Sequence, residues 1–386
     1  MPSNPFAVGI NLATYSYFSL VLLIALFFKF SRPFSLRNAD IIICQLPFLG
    51  FVALETWPAI GYSLLLIFAA ATIVRAYFDP GLERRPALGT NATVGALTFL
   101  VCVAFSFHTL YGLQVHPNRA DLTRANVPHK QPREPDSPIV AWPAIQRRLG
   151  RTIASWVGIG IAYAAHLVVT VGLASAGTRW FNDMTLGLAA AVSYMASTAV
   201  LWSAGDPAYS LPPALIMVAL LCAPTPTLSA FLLGLTAGIA DGFVLLIPFW
   251  APVLMRQNVR GFAGGLICGL LLSWLVAWAI GAQWALDAAR IQLVYWSSAA
   301  AAPHTGVWGT APAALRFAVV VVTLGLVSGF ALWPLHKNLM SVVAATTAVL
   351  AATQLWYPYY GGTYVTWYLP FLLLMIFRPT LVRVRL

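Results

Sequence analysis

The chain has 386 residues, 60% of them hydrophobic and 9% charged. With a mean hydropathy of +0.80 it has too few charged side chains to cover a soluble domain of this length. Its net charge of +11 would suggest nucleic acid in a soluble protein. In a chain this apolar, the excess of Lys and Arg is better explained by the cytoplasmic loops of a membrane protein.

Apolar runs of about 15–22 residues match the helix length that crosses roughly 30 Å of hydrocarbon. They do not alternate in polarity, so they predict helices and not a barrel. In chain order the predicted helices are 8–28, 41–55, 58–77, 92–113, 153–176, 184–203, 210–223, 227–240, 243–255, 261–280, 316–334, 339–354 and 364–377. The fold class is thus an all-α polytopic transmembrane bundle of about thirteen spans. "ETWP" (Glu55–Pro58) alone divides the second span from the third. The opening "MPSNPFAVGINLATYSYF" has no basic region and no small-residue cleavage site, so the first helix reads as retained.

Basic residues alternate between loops. One set carries Lys29, Arg32, Arg37, Arg75, Arg84, Arg85, Arg179, Arg256, Arg260, Lys337, Arg378, Arg383 and Arg385. The short loops around Glu55, Asp206 and Asp241 carry none. The positive-inside rule then puts the N-terminus outside and the C-terminus in the cytoplasm. Long external loops follow at 114–152 and 281–315. The first contains Pro117, Pro128, Pro132, Pro135 and Pro138, which argue against regular structure there. At its end Ile139, Trp142, Ile145 and Leu149 recur at helical spacing beside Arg147, Arg148 and Arg151, the pattern of a helix lying in the interface with membrane lipids.

Most acids fall at the outer face, where acid–base chemistry would sit. In the loop 114–152, Asp121 or Asp136 has the chemistry of a base, Arg119, Arg124, Lys130 and Arg133 would bind an anionic head group such as phosphate, and His116 is a further substrate-binding candidate. The bland reading is a mobile loop with a surface helix. Asp241 follows the small residues Gly234 and Gly238, whose spacing otherwise means close helix packing. A carboxylate at a helix end in a membrane is a site candidate by default. Asp206 precedes Pro207 and reads first as a turn start. His166 reads as a helix–helix hydrogen-bond partner before a ligand. The run "QLWYPYYGGTYVTWY" is denser in aromatics than anchoring needs. Tyr359 and Tyr360 beside Gly361–Gly362 suit recognition of a sugar or isoprenoid. The four cysteines lie apart in apolar runs, and no Cys or His pair has metal-ligand spacing, so neither a metal nor a cofactor is expected. No phosphate-binding loop is present either.

"RPFSLRNADI", "DPGLERRPAL", "FALWPLHKNL" and "YGGTYVTWYLPFLLLMIFRP" resemble segments of a bacterial polytopic membrane family of uncharacterised function. The stretch 153–261, with "FNDMTLGLAAAVSYMASTAVLWSAGDP", "PPALIMVALLCAPTPTLSAFLLGLTAGIADGFVLLIPFW" and "RQNVRG", resembles the core of GT-C membrane glycosyltransferases, in particular the glycosyltransferase family 87 type. The resemblance implies an N-terminal helical unit (1–91), a GT-C-like core (92–280) that includes the external loop 114–152, and a C-terminal part (281–386). It implies a lipid-phosphate-linked sugar donor at the outer face of the cell envelope. It puts the base role on Asp121, with Asp136 and Glu134 behind it, and the chain in a bacterial inner membrane; Asp206, Asp241, Tyr359 and Tyr360 are substrate candidates from their own chemistry. No paired acid opens the loop, and Ile239, Ala240 and Asp241 stand where such proteins often carry a basic residue. The competing reading is a non-catalytic membrane subunit or scaffold, with complex subunits as partners. A transporter fits less well, because the spans hold few ionisable groups and no inverted halves are evident.

Overall fold

Helix caps and prolines set the boundaries of the elements in this computed structural model. It describes residues 11–79, 90, 92–125, 145, 149, 151–280, 306–309, 313–332, 338–357 and 360–379; the side chains of 114–125 and of Asp241 fall outside the description. Helix α1 (Leu12–Phe27) starts at Asn11, whose side chain accepts from the Thr14 N–H. Helix α2 (Leu36–Gln45) starts at Ser35, and Pro47 begins α3 (Pro47–Leu54) after a one-residue interruption. Pro58 opens α4 (Pro58–Phe78), so the "ETWP" boundary is a real break. Prolines suit these first-turn positions because their missing N–H would have no partner there.

Helix α5 (Val94–Ala125) is longer than the sequence led us to expect. It continues about three turns past residue 113 through Pro117, carried by the helix-favouring "RADLTRA". Then come α6 (Arg151–Trp180), α7 (Met184–Met195), α8 (Thr198–Trp202), α9 (Pro207–Leu221) and α10 (Pro226–Ile239). A 3-10 turn (Asp241–Leu246) leads into α11 (Ile247–Met255), followed by α12 (Val259–Ile280), α13 (Ala313–Leu332), α14 (Leu339–Trp356) and α15 (Val365–Phe377). No strand occurs among the described residues.

Each predicted segment coincides with helical structure. Seven stretches are long and apolar enough to cross a membrane, and six further apolar helices have only 10–17 residues. The 184–203 segment is two pieces: α7 stops at Met195, and Ser197 caps α8.

Helix α14 is the axis of the bundle. Its "VVAATTAVLAAT" run is almost entirely Ala, Val and Thr, which let neighbours approach on every side, and it packs against α4, α15 and α13. The tightest pairing is α10 with α12. A side chain built on Gly265 would run into the Thr227 carbonyl, one on Gly269 into that of Phe231, and one on Gly234 into that of Leu266. The small-residue packing expected at Gly234 and Gly238 is therefore real, and the glycines of α12 complete it. The outward faces of α5, α12 and α13 carry exposed Phe99, Trp274, Trp278, Leu315 and Val322, as lipid-facing helices do.

Helix directions define two ends. Phe27 and Phe377 meet edge to face with centroids 5.2 Å apart, so the C-termini of α1 and α15 lie together. Tyr15 near the start of α1 reaches His108 at the middle of α5. The C-terminal part of α5, and so the start of the 114–152 segment, lies at the same end as the N-termini of α1 and α15.

Candidate functional site

At that end the start of α9 packs against the start of α15, and the reason is local. In a helix the carbonyls of Ala208 and Tyr209 would accept from residues 212 and 213. Both are proline and have no N–H to give. The freed carbonyls are taken by α15: the Trp367 indole N–H donates to Ala208 O at 2.9 Å, and the Thr366 hydroxyl to Tyr209 O at 2.7 Å. The Tyr209 hydroxyl pairs with Thr363 Oγ1 at 3.1 Å, and its ring stacks on Tyr364 with centroids 4.5 Å apart. Tyr364 in turn lies 4.6 Å from Trp367, centroid to centroid, and donates its backbone N–H to Gln354 Oε1.

Asp206 caps α9 by accepting the Ala208 N–H at 2.9 Å. It is partly accessible, yet enclosed enough that burial pushes its carboxyl up to about 6. Its charge acts on Tyr209 and Tyr364, and Tyr360 interacts with Tyr62, Tyr209 and Tyr364 in the same way. Two of the residues expected to bind substrate, Asp206 and Tyr360, are thus brought into one cluster with three further tyrosines. Tyr360 has a φ of +50°, a left-handed backbone that bulky residues rarely adopt.

The rest of the aromatic run behaves differently from the expectation. Tyr357, Tyr364, Trp367 and Tyr368 are at most 2% exposed and pack into the bundle. The space at the double glycine is filled by protein: Gly362, at φ +95°, is approached by Leu65 of α4, and Gly361 by the carbonyls of Tyr357 and Gln354.

Asp121, His116, Arg119 and Arg124 lie on the extension of α5 and not on an irregular loop, and their side chains are outside the described residues. Glu134, Asp136 and Tyr359 lie wholly outside them. Asp241 opens the 3-10 turn, and the next residue, Gly242, faces Thr353 and Trp367, which puts that turn at the same end as Asp206. No group of three or more His, Cys, Asp or Glu able to hold a metal occurs among the described residues.

The opposite end holds a buried charge cluster that the sequence did not reveal. Arg75 of α4 grips Asp40 of α2 with two bonds, of 2.5 and 2.9 Å, and reaches Asp79 at 3.0 Å. Arg378, just past α15, bonds the other oxygen of Asp79 at 2.9 Å. Asn38 organises the adjoining loop: it accepts the Lys29 N–H and donates to the carbonyls of Lys29, Arg32 and Pro33.

A third polar group lies between helices. His108 pairs with Tyr15 at 2.7 Å and His166 with Tyr194 at 2.8 Å. The helix–helix role expected for His166 is the one it plays; His108, a lone mid-helix histidine, gave no signal of its own.

The chain matches no family model, no curated protein and no solved structure.

Proposed function

We propose that the chain is a membrane glycosyltransferase-like protein that takes a sugar from a lipid-phosphate-linked donor at the outer face of a bacterial inner membrane. The six shorter helices would cross with the seven long ones, giving about thirteen spans. The N-terminus would be outside, since Arg75, Arg378 and the Lys29–Arg37 loop gather at the other end. One observation carries the reading. The Asp206–Tyr209–Tyr364–Tyr360 cluster stands at the same end of the bundle as the α5 extension that bears Asp121. Asp206, Tyr209 and Tyr360 are partly accessible, with Tyr364 buried behind them; a carboxylate beside hydroxyl-bearing rings suits sugar recognition, and His116, Arg119 and Arg124 suit the phosphate.

In this reading Asp121 takes the acceptor hydroxyl proton as the acceptor oxygen bonds to the anomeric carbon. The bond from that carbon to the phosphate oxygen breaks, and the lipid phosphate leaves. Asp136 and Glu134 are the next candidates for the base, and Asp241 and Tyr359 further candidates for binding the sugar. The test is transfer from a polyprenyl-phosphate sugar by the reconstituted protein. Asp121→Asn abolishes transfer with an unchanged melting temperature. Undiminished transfer by that variant sinks the assignment.

A second reading is a non-catalytic subunit of a larger membrane complex. It is favoured by Tyr357, Tyr364, Trp367 and Tyr368, which are buried in the bundle and do not face a ligand. Purification in mild detergent then yields a stoichiometric partner that Asp121→Asn retains. A chain that purifies alone and transfers sugar rules this out.

A further inference from the structure

The break between α7 and α8 leaves a carbonyl unserved. In a continuous helix Met195 O would accept from Ala199 N–H, but that N–H turns to the Ser197 hydroxyl, which caps α8. The Tyr15 hydroxyl takes up Met195 O at 3.0 Å. Next to it, Thr198 donates to Ser16 at 2.9 Å, so α1 clamps both sides of the interruption. Irregular backbone at membrane depth persists only where protein or a polar cavity satisfies it, and broken helices there frequently line a binding site.

The second observation is independent of the first. His108 and His166 are each 1% exposed, and each has one ring nitrogen with no hydrogen-bond partner among the described residues: Nδ1 of His108 and Nε2 of His166. The two rings interact electrostatically, and both border Tyr163, whose hydroxyl donates to His108 O at 2.7 Å and whose ring centroid lies 6.5 Å from that of His166.

Proton counting fixes what the two free nitrogens offer. Tyr15 has one hydroxyl proton and touches both Met195 O and His108 Nε2. The carbonyl can only accept, so it receives that proton. His108 must then carry its own proton on Nε2 and donate it to Tyr15, which leaves Nδ1 as a bare acceptor. Tyr194 touches His166 Nδ1 and has no competing acceptor. If His166 donated to Tyr194, the tyrosine proton would be stranded as well. With Tyr194 donating, a single group is left over, the N–H on Nε2 of His166. One imidazole thus presents an acceptor and its neighbour presents a donor.

We propose that His108 and His166 form an intramembrane binding site for a small neutral molecule that both donates and accepts, namely a water molecule bridging His108 Nδ1 and His166 Nε2. Buried waters typically serve otherwise unsatisfied polar groups in this way. With the water in place, Tyr15, His108, water, His166 and Tyr194 form one hydrogen-bonded chain that ties α1, α5, α6 and α7 together at the break.

The experiment uses the full chain in lipid nanodiscs with ¹⁵N-labelled histidine. Magnetisation transferred from water is expected to reach the free nitrogens of both residues, and His108 is expected as the Nε2–H tautomer. Absence of water transfer to both residues overturns the proposal, as does the Nδ1–H tautomer at His108. A thermal cycle is the second arm. His108→Leu and His166→Leu each lower the melting temperature, and the double variant falls by clearly less than the sum of the two, because both lose the same water. Additive losses, or singles that melt higher because a dry orphan group was removed, overturn it. Should the leucine variants fail to fold, the wild-type spectra decide.

Discussion

The indole N–H of Trp367 donates to the one carbonyl, that of Ala208, that Pro212 leaves without a partner inside its own helix. Thr366 does the same for Tyr209 and Pro213. The docking of α15 on α9 therefore follows from two missing amide hydrogens. The prediction is a coupled pair. Thr366→Val strands a buried carbonyl at a cost of about 1–3 kcal/mol. Pro213→Ala supplies the missing N–H, so Thr366→Val costs clearly less in that background. A thermal double-mutant cycle in detergent measures the coupling, and equal costs in both backgrounds would remove the explanation.

Close approach in α10 and α12 makes a prediction with a built-in control. Gly269→Leu and Gly265→Leu push a side chain into facing backbone, and overpacking of this kind costs about 1–3 kcal/mol or more. Gly264 sits one residue away with open space around it, so Gly264→Leu is tolerated. Melting temperature and the monodisperse fraction on gel filtration separate the two classes.

Arg75 neutralises two buried carboxylates, and Arg75→Met leaves Asp40 without its paired guanidinium. Breaking a buried pair from one side costs about 3–5 kcal/mol. Arg75→Lys recovers little, because an ammonium cannot reproduce the forked contact with Asp40. Unfolding midpoints of the three proteins rank wild type first, with Arg75→Lys much closer to Arg75→Met. A lysine variant as stable as wild type would show that the fork is unimportant.

Asp206 predicts a pH dependence. Its carboxyl is raised from 3.8 to about 6 in the fold, so the protonated form is the one the fold favours. Its contribution is largest below about pH 4 and is lost as pH rises through about 6. With allowance for its partial exposure the effect is about 2 kcal/mol. Asp206→Asn still caps Ala208 and removes the titration. Melting temperatures recorded from pH 4 to 7 should fall for wild type relative to this variant, most of the fall coming below about pH 6. Parallel curves would refute the assignment.

The helices were legible because runs of apolar residues without alternation have no other stable form in lipid. Pro58 and Glu55 gave the α3–α4 break for the same local reason that the structure does. The α7–α8 break was not legible: "SYMAST" contains neither Gly nor Pro, and the interruption is held by Tyr15 and Ser16, some 180 residues away. Asp206 was singled out as an acid before a proline and Tyr360 as part of a dense aromatic run, and neither signal told that the two lie in one cluster. His108 and the Arg75–Asp40 pair were missed because their meaning lies in a partner on another helix. The tyrosines of 357–368 were read as a surface because density of aromatics does not say which way rings point, and the two prolines that turn them inward act through hydrogen bonds across the bundle.

The link between Asp79 and Arg378 has a consequence for how the chain is made. One partner leaves the ribosome 299 residues before the other, counted from their positions. Until Arg378 is synthesised at the end of α15, α4 enters the bilayer with Arg75 and Asp40 in place but without the Arg378 contact to Asp79. The early helices therefore wait in a provisional arrangement, and the last helix acts as the closing latch of biogenesis. A chain truncated before residue 365 should be inserted but remain a substrate for membrane quality-control proteolysis, and pulse-chase labelling of that truncation measures it.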